Sequence, residues 1–126
     1  MLFSPCGPGR IPPAQAHHML QRCTAVLLDV READEYRAGH APGALHAPLS
    51  QLAAGAADVP GAADVPGPAD GCSLVLICRS GNRSQQAAKL LAGRGVEAVD
   101  VTGGMIAWAE QGLPVQDGHG AAGTVI

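Results

Sequence analysis

Two continuous apolar runs constrain the fold of this chain more than any other feature of its sequence. They are AVLLDV (25–30) and CSLVLIC (72–78). Runs of this length predict strands that are buried on both faces, as in the middle of a parallel sheet. A helical pattern follows each run, at 31–39 and at 84–95. The alternation predicts an α/β protein with a parallel sheet and helices on both faces.

Shorter signals predict the remaining elements. Pro13 suits the first turn of a helix, and Ser50 is predicted to cap a short one. A Pro-Gly turn precedes a short edge strand near Leu45. In chain order, the pattern predicts an irregular lead-in over 1–10 with at most one short strand, helices over 13–21 and 49–55, and a last strand over 96–101. A Gly-Gly loop and a closing helix over 102–112 and a loose tail over 116–126 are predicted to follow.

A repeat interrupts the chain between the two apolar runs. The segment GAADVPGAADVPGPADG (55–71) contains the hexad GAADVP twice and begins a third copy. Proline at this density excludes a long helix or a central strand. We expect an expanded surface loop, since loops tolerate insertions at small cost. The sequence leaves open whether this loop covers a pocket, binds a partner or is an inert insertion.

Length and composition narrow the class of protein. The 126 residues suggest one domain, and with 2% aromatic residues the core must be built from Val, Leu, Ile and Ala. A net charge of −3 without a basic run argues against a nucleic-acid partner. We see neither an apolar stretch of about 18 residues, as a membrane span needs, nor a secretory signal. The four cysteines fit neither a zinc site nor a disulfide framework, so we expect a reducing cytoplasm, no metal and no cofactor.

One of these cysteines, Cys78, lies at the end of the second apolar run, about five residues before a helix. Ligands of parallel sheets bind at this end of the strands. The connecting loop over 79–83 is short and must curl, which turns its N–H groups inward and forms an anion nest at a helix N-terminus. Thiols in such a setting ionise easily. We therefore predict that Cys78 is a thiolate nucleophile rather than an inert core cysteine.

The residue types of the loop agree with this prediction. Gly81 permits a positive φ or the close approach of a ligand. Asn82 tolerates a left-handed φ, and either Asn82 or Ser84 is predicted to cap the helix. Arg79 and Arg83 add two permanent positive charges.

Three separated motifs resemble those of rhodanese-like domains. CRSGNRS (78–84) is similar to the active-site loop of that family, and DVREADEYRAGHAPGALHAPL (29–49) to its Asp-Val-Arg, Glu-Tyr, Gly-His and Pro-Gly-Ala signature. VTGGMIAW (101–108) resembles the closing Gly-Gly-x-x-x-Trp segment. The resemblance runs from about Ile11 to Val115. It implies a rhodanese-like domain over 11–115, with a five-stranded parallel sheet in a three-layer α/β/α arrangement.

The resemblance also implies sulfane-sulfur transfer. Cys78 would take the outer sulfur of thiosulfate or a related small anion as a persulfide, and would pass it to cyanide, a thiol or a partner protein. Arg83 matches an arginine that many single-domain members carry at the end of the loop, whereas Arg79 is expected to face the mouth of the site. The substrate-binding residues would be Arg79, Ser80, Gly81, Asn82, Arg83 and Ser84.

Two other functions stay open. The chain could be a sulfur-carrier module that a partner protein loads, with free thiosulfate as a poor donor. It could also be a phosphatase or an arsenate reductase, which share the fold but carry one residue more than the four between Cys78 and Arg83. A tighter ring of N–H groups fits a single sulfur atom better than a tetrahedral phosphate, which argues for sulfur.

Other polar residues near the predicted site are expected to support it. Asp29 and Arg31 are predicted to form a structural ion pair, joined by Asp34 or Glu35, since buried charges are usually paired. Contact of the pair with substrate is the alternative.

Three ring side chains are expected to have structural roles. His40 and His46 are predicted to anchor loops rather than to act as bases, because an activated thiolate needs no base. Trp108 is predicted to pack the closing helix.

Overall fold

Strands and helices alternate along the chain, as the sequence predicts. The structure is a computed structural model that describes residues 9–54 and 73–126, so the predicted repeat loop over 55–71 and most of the lead-in lie outside the described residues. The strands are β1 (Arg10–Ile11), β2 (Ala25–Asp29), β3 (Leu45–His46), β4 (Ser73–Ile77) and β5 (Val99–Val101). The helices are α1 (Pro13–Gln21), α2 (Ala33–Ala38), α3 (Leu49–Ala54), α4 (Asn82–Ala92) and α5 (Gly104–Glu110).

The strands form one parallel sheet in the order β1-β5-β4-β2-β3. The two strands from the apolar runs are neighbours, paired from Ala25 with Ser73 to Asp29 with Ile77. The predicted edge strand near Leu45 is confirmed as β3. Because all strands run the same way, the residues that follow β2, β4 and β5 meet at one edge of the sheet.

Helices cover both faces of this sheet, which confirms the three-layer arrangement. Successive strand residues point to opposite faces, so Leu27 and Leu28 enter different cores. One core joins β2 and β4 to α3 and α4 through Leu52 and Leu91. The other joins the sheet to α1 and α5 through Ala16 and the buried Trp108. Each buried Leu or Ile contributes about 1.5–3 kcal/mol of transfer free energy.

Several element boundaries differ from the predicted ones. Helix α4 begins at Asn82, two residues earlier than predicted, because Gly81 adopts a left-handed φ of 106° and turns the chain into the helix. Strand β5 begins at Val99 rather than Val96, since the Val96 N–H returns to the Leu91 carbonyl in the turn after α4. The predicted cap Ser50 lies inside α3, where its hydroxyl donates to the Glu32 carboxylate.

The segment over 116–126 was predicted to be loose, and the structure instead shows it packed against the end of α2. Gln116 exchanges two backbone hydrogen bonds with His40, and the Thr124 N–H donates to the Ala38 carbonyl. A side chain at Gly39 would overlap the backbone of Thr124, so glycine permits this close approach. In the described part of the chain, no helix is long and apolar enough to cross a membrane.

Candidate active site

Cys78 lies directly after β4, at the edge of the sheet where the parallel strands end. Its side chain is buried, and the chain passes through three residues before α4 begins. The Gly81 N–H donates to the Cys78 Sγ at 3.0 Å. The sulfur therefore faces the amide at the start of an 11-residue helix, where the helix dipole favours negative charge.

Gly81 is favoured in this turn by its backbone conformation. Its φ of 106° is one that L-residues rarely adopt, and a Cβ there would meet the Arg10 guanidinium at 2.7 Å. The predicted positive φ of Gly81 is thus confirmed. The cap position belongs to Gly81 itself, so the prediction that Asn82 or Ser84 caps the helix is wrong. Asn82 is exposed as the first residue of α4, and Ser80 is exposed in the loop.

The start of α5 holds the loop from the other side. The Met105 N–H donates to the Cys78 carbonyl at 2.7 Å, and the Ile106 N–H donates to the Arg79 carbonyl at 3.0 Å. Gly104, at a φ of 57°, lies so close that a side chain would overlap those two carbonyls. The Gly-Gly pair of the sequence therefore lets α5 satisfy the backbone of the cysteine loop.

A hydrogen-bonded series of polar side chains leads from the Cys78 sulfur to β1, the edge strand of the sheet. The Cys78 Sγ lies 3.4 Å from the Ser84 Oγ, and that hydroxyl donates to the Asp100 carboxylate at 2.8 Å. Asp100 accepts from the Arg10 Nε at 3.0 Å, and Arg10 is its cross-strand partner in the pairing of β1 with β5. Arg10 also donates to the Gly81 carbonyl at 3.3 Å. Ser84 and Asp100 are buried, whereas Arg10 is 38% exposed.

The two arginines of the loop both have partners within the chain. Arg83 makes a two-point ion pair with the Glu35 carboxylate of α2, at 2.6 and 2.8 Å. The hydrogen bond from Arg83 holds the pKa of Glu35 below its usual value, and the same bond raises the pKa of Arg83. Arg79 is exposed, and its Nε donates to the backbone oxygen of Ile126 at 3.0 Å.

A fully buried ion pair lies at the end of the neighbouring strand β2. The Arg31 Nη2 donates to the Asp29 carboxylate at 2.7 Å, and both side chains are fully buried. The same nitrogen also donates to the Gly39 carbonyl. The predicted structural pair is confirmed, but Glu35 bonds to Arg83 and not to this pair. The Arg31 Nη1 is buried and has no hydrogen-bond partner in the described residues.

The predicted anchoring of loops by His40 and His46 and the predicted packing of Trp108 are confirmed. The His40 Nδ1 lies 2.6 Å from the Tyr36 carbonyl oxygen, and the His46 Nε2 lies 2.7 Å from the Arg31 carbonyl oxygen. The Tyr36 ring stacks against both imidazoles, at 3.8 and 4.5 Å between centroids. Trp108 is buried in α5 and donates its Nε1–H to the Pro114 carbonyl.

Sequence reasoning missed Arg10 and Asp100, and it did not pair Glu35 with Arg83. One signal was available for Asp100: a charge in the middle of the apolar strand VDV requires a buried partner. The identity of that partner came only with the fold, because Arg10 is 90 residues away along the chain. Over residues 9–54 and 73–126, no group of three or more acidic, His or Cys side chains is placed to hold a metal ion.

Comparison with known proteins agrees with this geometry. The model of the family described as "Rhodanese-like domain" matches residues 12–111. The chain belongs to this family. The curated relatives include the thiosulfate sulfurtransferase GlpE of Pseudomonas putida, which is 35% identical over 114 residues, 90% of this chain and 94% of that protein.

Two further relatives match over a smaller part of their own length. An uncharacterized protein of Synechocystis is 35% identical over 105 residues, which are 82% of this chain and 54% of that protein. The Bacillus subtilis protein named "Putative sulfur carrier protein YrkF" is 34% identical over 83 residues, 65% of this chain and 40% of that protein.

A solved structure supports the fold. The crystal structure of a rhodanese-related protein from Thermoplasma volcanium is 29% identical and superposes with a TM-score of 0.67. The match covers 85% of this chain and 96% of that one. The rhodanese-like domain family and the five-stranded parallel fold of this chain are therefore established.

Proposed function

We propose that this rhodanese-like domain is a sulfurtransferase that carries sulfane sulfur as a persulfide on Cys78, with thiosulfate as one donor. The observation that carries the proposal is the 3.0 Å contact between the Gly81 N–H and the Cys78 Sγ at the start of α4. An N–H and a helix dipole aimed at a buried sulfur stabilise negative charge at that position, as a persulfide carrier needs. The relatives named as thiosulfate sulfurtransferases support the choice of donor.

The reaction needs two displacements at sulfur. The Cys78 thiolate attacks the outer sulfur of thiosulfate, the new S–S bond forms, and the bond to the sulfonate group breaks. Sulfite leaves with the electron pair, and Cys78 carries a persulfide. A nucleophilic acceptor such as cyanide or a thiolate then bonds to the terminal sulfur, and the electron pair of the S–S bond returns to Cys78.

The loop residues from Arg79 to Ser84 would bind the donor and the persulfide mainly through their N–H groups. The Arg83 guanidinium is less available than the sequence suggests because Glu35 holds it, whereas Arg79 is exposed and donates its Nε–H to the Ile126 oxygen. Asp29 and Arg31 would support the site by fixing the end of β2, the strand next to β4. The chemistry needs a reduced thiol, for which the cytoplasm is the proposed compartment.

A sulfur-carrier role is the second candidate, and the ion pair of Arg83 with Glu35 favours it. With the Arg83 guanidinium held by Glu35, a free dianion such as thiosulfate gains less attraction from the site, whereas transfer from the persulfide of a docked partner protein depends less on that charge. The curated relative named as a sulfur carrier is consistent with this alternative.

Steady-state formation of thiocyanate from thiosulfate and cyanide tests the proposal. We expect activity in the wild type, its loss in Cys78→Ser, and wild-type activity in the matched control Cys23→Ser, since Cys23 is exposed at the other end of β2. Slow turnover with thiosulfate combined with rapid sulfur loading from a cysteine desulfurase would favour the carrier role. Full activity in Cys78→Ser would contradict both.

A further inference from the structure

The hydroxyl of Ser84 lies between two groups that can each carry a negative charge. On one side is the Cys78 Sγ at 3.4 Å, and on the other is the Asp100 carboxylate at 2.8 Å. A serine hydroxyl has one hydrogen to donate and two lone pairs to accept with. It can therefore donate to the sulfur or to the carboxylate, but not to both.

The two directions of this hydroxyl favour two forms of the cysteine. When Ser84 donates to Asp100, its lone pairs face Cys78 and accept from the S–H group, which stabilises the thiol. When Ser84 donates to the sulfur, the charge-assisted hydrogen bond stabilises the thiolate or persulfide. Asp100 then loses one donor but keeps Arg10, which bonds to both of its oxygens at 3.0 and 3.3 Å.

We propose that Asp100 is a positioning residue that sets the direction of the Ser84 hydroxyl, and that Arg10 tunes this effect by satisfying the Asp100 carboxylate. The proposal rests on the role of Cys78 as the nucleophile of the proposed function. Asp100 and Ser84 are both buried, so water does not replace the missing donor. The Arg10–Asp100 pair thereby links the edge strand β1 to the ionisation of the catalytic sulfur.

The other charged side chains near the sulfur have partners other than Ser84 and Asp100. These contacts are Arg83 with Glu35, Arg31 with Asp29, and Arg79 with the Ile126 backbone. Arg10 and Asp100 are thus the charged pair of the described residues that connects to the sulfur through hydrogen bonds.

Alkylation of Cys78 by iodoacetamide as a function of pH measures this effect directly, because the thiolate is the reactive form. All variants carry Cys23→Ser, and peptide mass spectrometry quantifies alkylation at Cys78. In Asp100→Asn the amide can donate to Ser84 and the negative charge is gone, so we expect the midpoint of the profile to fall by about one pH unit. In Arg10→Gln the carboxylate loses its cation, so we expect the midpoint to rise by about half a unit.

Opposite shifts in these two variants separate the proposal from a merely structural role, since general loosening of the site would move both profiles in one direction. The Ser84→Ala background tests the relay. There we expect most of the Asp100→Asn and Arg10→Gln shifts to disappear, whereas shifts of full size would show that the charges act through space without Ser84.

Two other outcomes would also overturn the proposal: an unchanged or higher midpoint in Asp100→Asn, or a lower one in Arg10→Gln. If Asp100→Asn does not fold, the half-exposed Arg10 still provides the test in both backgrounds. The readout needs no sulfur donor. A failure of sulfur transfer would therefore leave this result intact, and a failure here would leave the transfer assay intact.

Discussion

The ends of β2 and β4 are adjacent, parallel and similar in sequence, yet they differ in chemistry. At the end of β2, the Asp29 carboxylate accepts hydrogen bonds from the side chain and the backbone N–H of Arg31, and neither side chain reaches solvent. At the end of β4, the left-handed Gly81 directs a backbone N–H at the sulfur of Cys78. One end is closed by its own side chains, and the other places the Cys78 sulfur at a helix N-terminus.

This difference shows that position at the carboxyl edge of a sheet is not enough to make a site. Arg31 follows Asp29 by two residues and can fold back onto it, so the charges neutralise each other. The described residues give Cys78 no ion-pair partner of this kind, because the chain turns at Gly81, whose main-chain N–H donates to the sulfur instead. The variants below test this division, from the largest expected effect to the smallest.

The first comparison is between Asp29→Asn and Cys78→Ser. Asp29→Asn leaves the buried Arg31 charge uncompensated, so we expect it to lower the free energy of unfolding by about 3–5 kcal/mol. Cys78→Ser should change that free energy by less than about 1 kcal/mol while abolishing sulfur transfer. Chemical denaturation and the thiocyanate assay together measure both effects. A stable Asp29→Asn protein without activity would show that Asp29 takes part in the reaction, which contradicts a purely structural role for the end of β2.

Alanine at two left-handed glycines sharpens the comparison within the cysteine loop. Gly81→Ala strains the turn and pushes against Arg10, so we expect the displaced N–H to reduce kcat about 10–100-fold. Gly43 has a φ of 84° with open space around its Cβ position, so Gly43→Ala should cost about 1–2 kcal/mol of stability and no activity. Equal activities of the two variants would argue against a catalytic role for the Gly81 amide.

Glu35→Gln tests whether the ion pair limits the use of Arg83 by an anionic donor. Weakening the pair frees the guanidinium, so we expect kcat/KM for thiosulfate to rise about 2–5-fold through a lower KM. Methanethiosulfonate carries one negative charge fewer and should gain less. The matched control is Glu110→Gln, which removes an equal charge from an exposed position of α5. A fall in kcat/KM would mean that Glu35 orients Arg83 for binding rather than restraining it.

The same pair predicts a small effect of pH on stability. The hydrogen bond from Arg83 holds the pKa of folded Glu35 below its ordinary value of 4.5. The unfolded state therefore takes up a proton first, and the stabilisation is complete above that value and is lost as the pH falls through the lower folded pKa. We expect the free energy of unfolding of wild type to exceed that of Glu35→Gln by about 0.5–1 kcal/mol at neutral pH, and this gap to shrink as the pH falls further below 4.5. Urea denaturation at neutral pH and at a series of values below 4.5 measures the difference, and a gap that stays constant would contradict this account.

Local features were predictable from the sequence. The apolar runs predict β2 and β4, and the short Gly-containing loop after Cys78 predicts the turn that aims an N–H at the sulfur. Arg31 and Asp29 are two residues apart along the chain, so their ion pair follows from the same local pattern. These features depend on neighbours in the chain, where residue type and spacing are informative.

The pairs between distant segments could not be predicted in the same way. Arg83 binds Glu35 across 48 residues, and Asp100 binds Arg10 across 90. Each requires the register of strands and the packing of helices to be known before the partner can be chosen. The sequence did not predict the contacts of Arg83 with Glu35 and of Arg79 with the Ile126 oxygen for this reason, and the use of both arginines as anion binders stays a prediction.

The mass of the intact protein after incubation with a sulfur donor tests the central claim most directly. With thiosulfate or an alkyl persulfide, followed by removal of the donor, we predict a gain of one sulfur atom in the wild type and in Cys23→Ser, and none in Cys78→Ser. A subsequent addition of cyanide should restore the original mass. An equal gain in Cys78→Ser, or no gain in the wild type from either donor, would contradict the account.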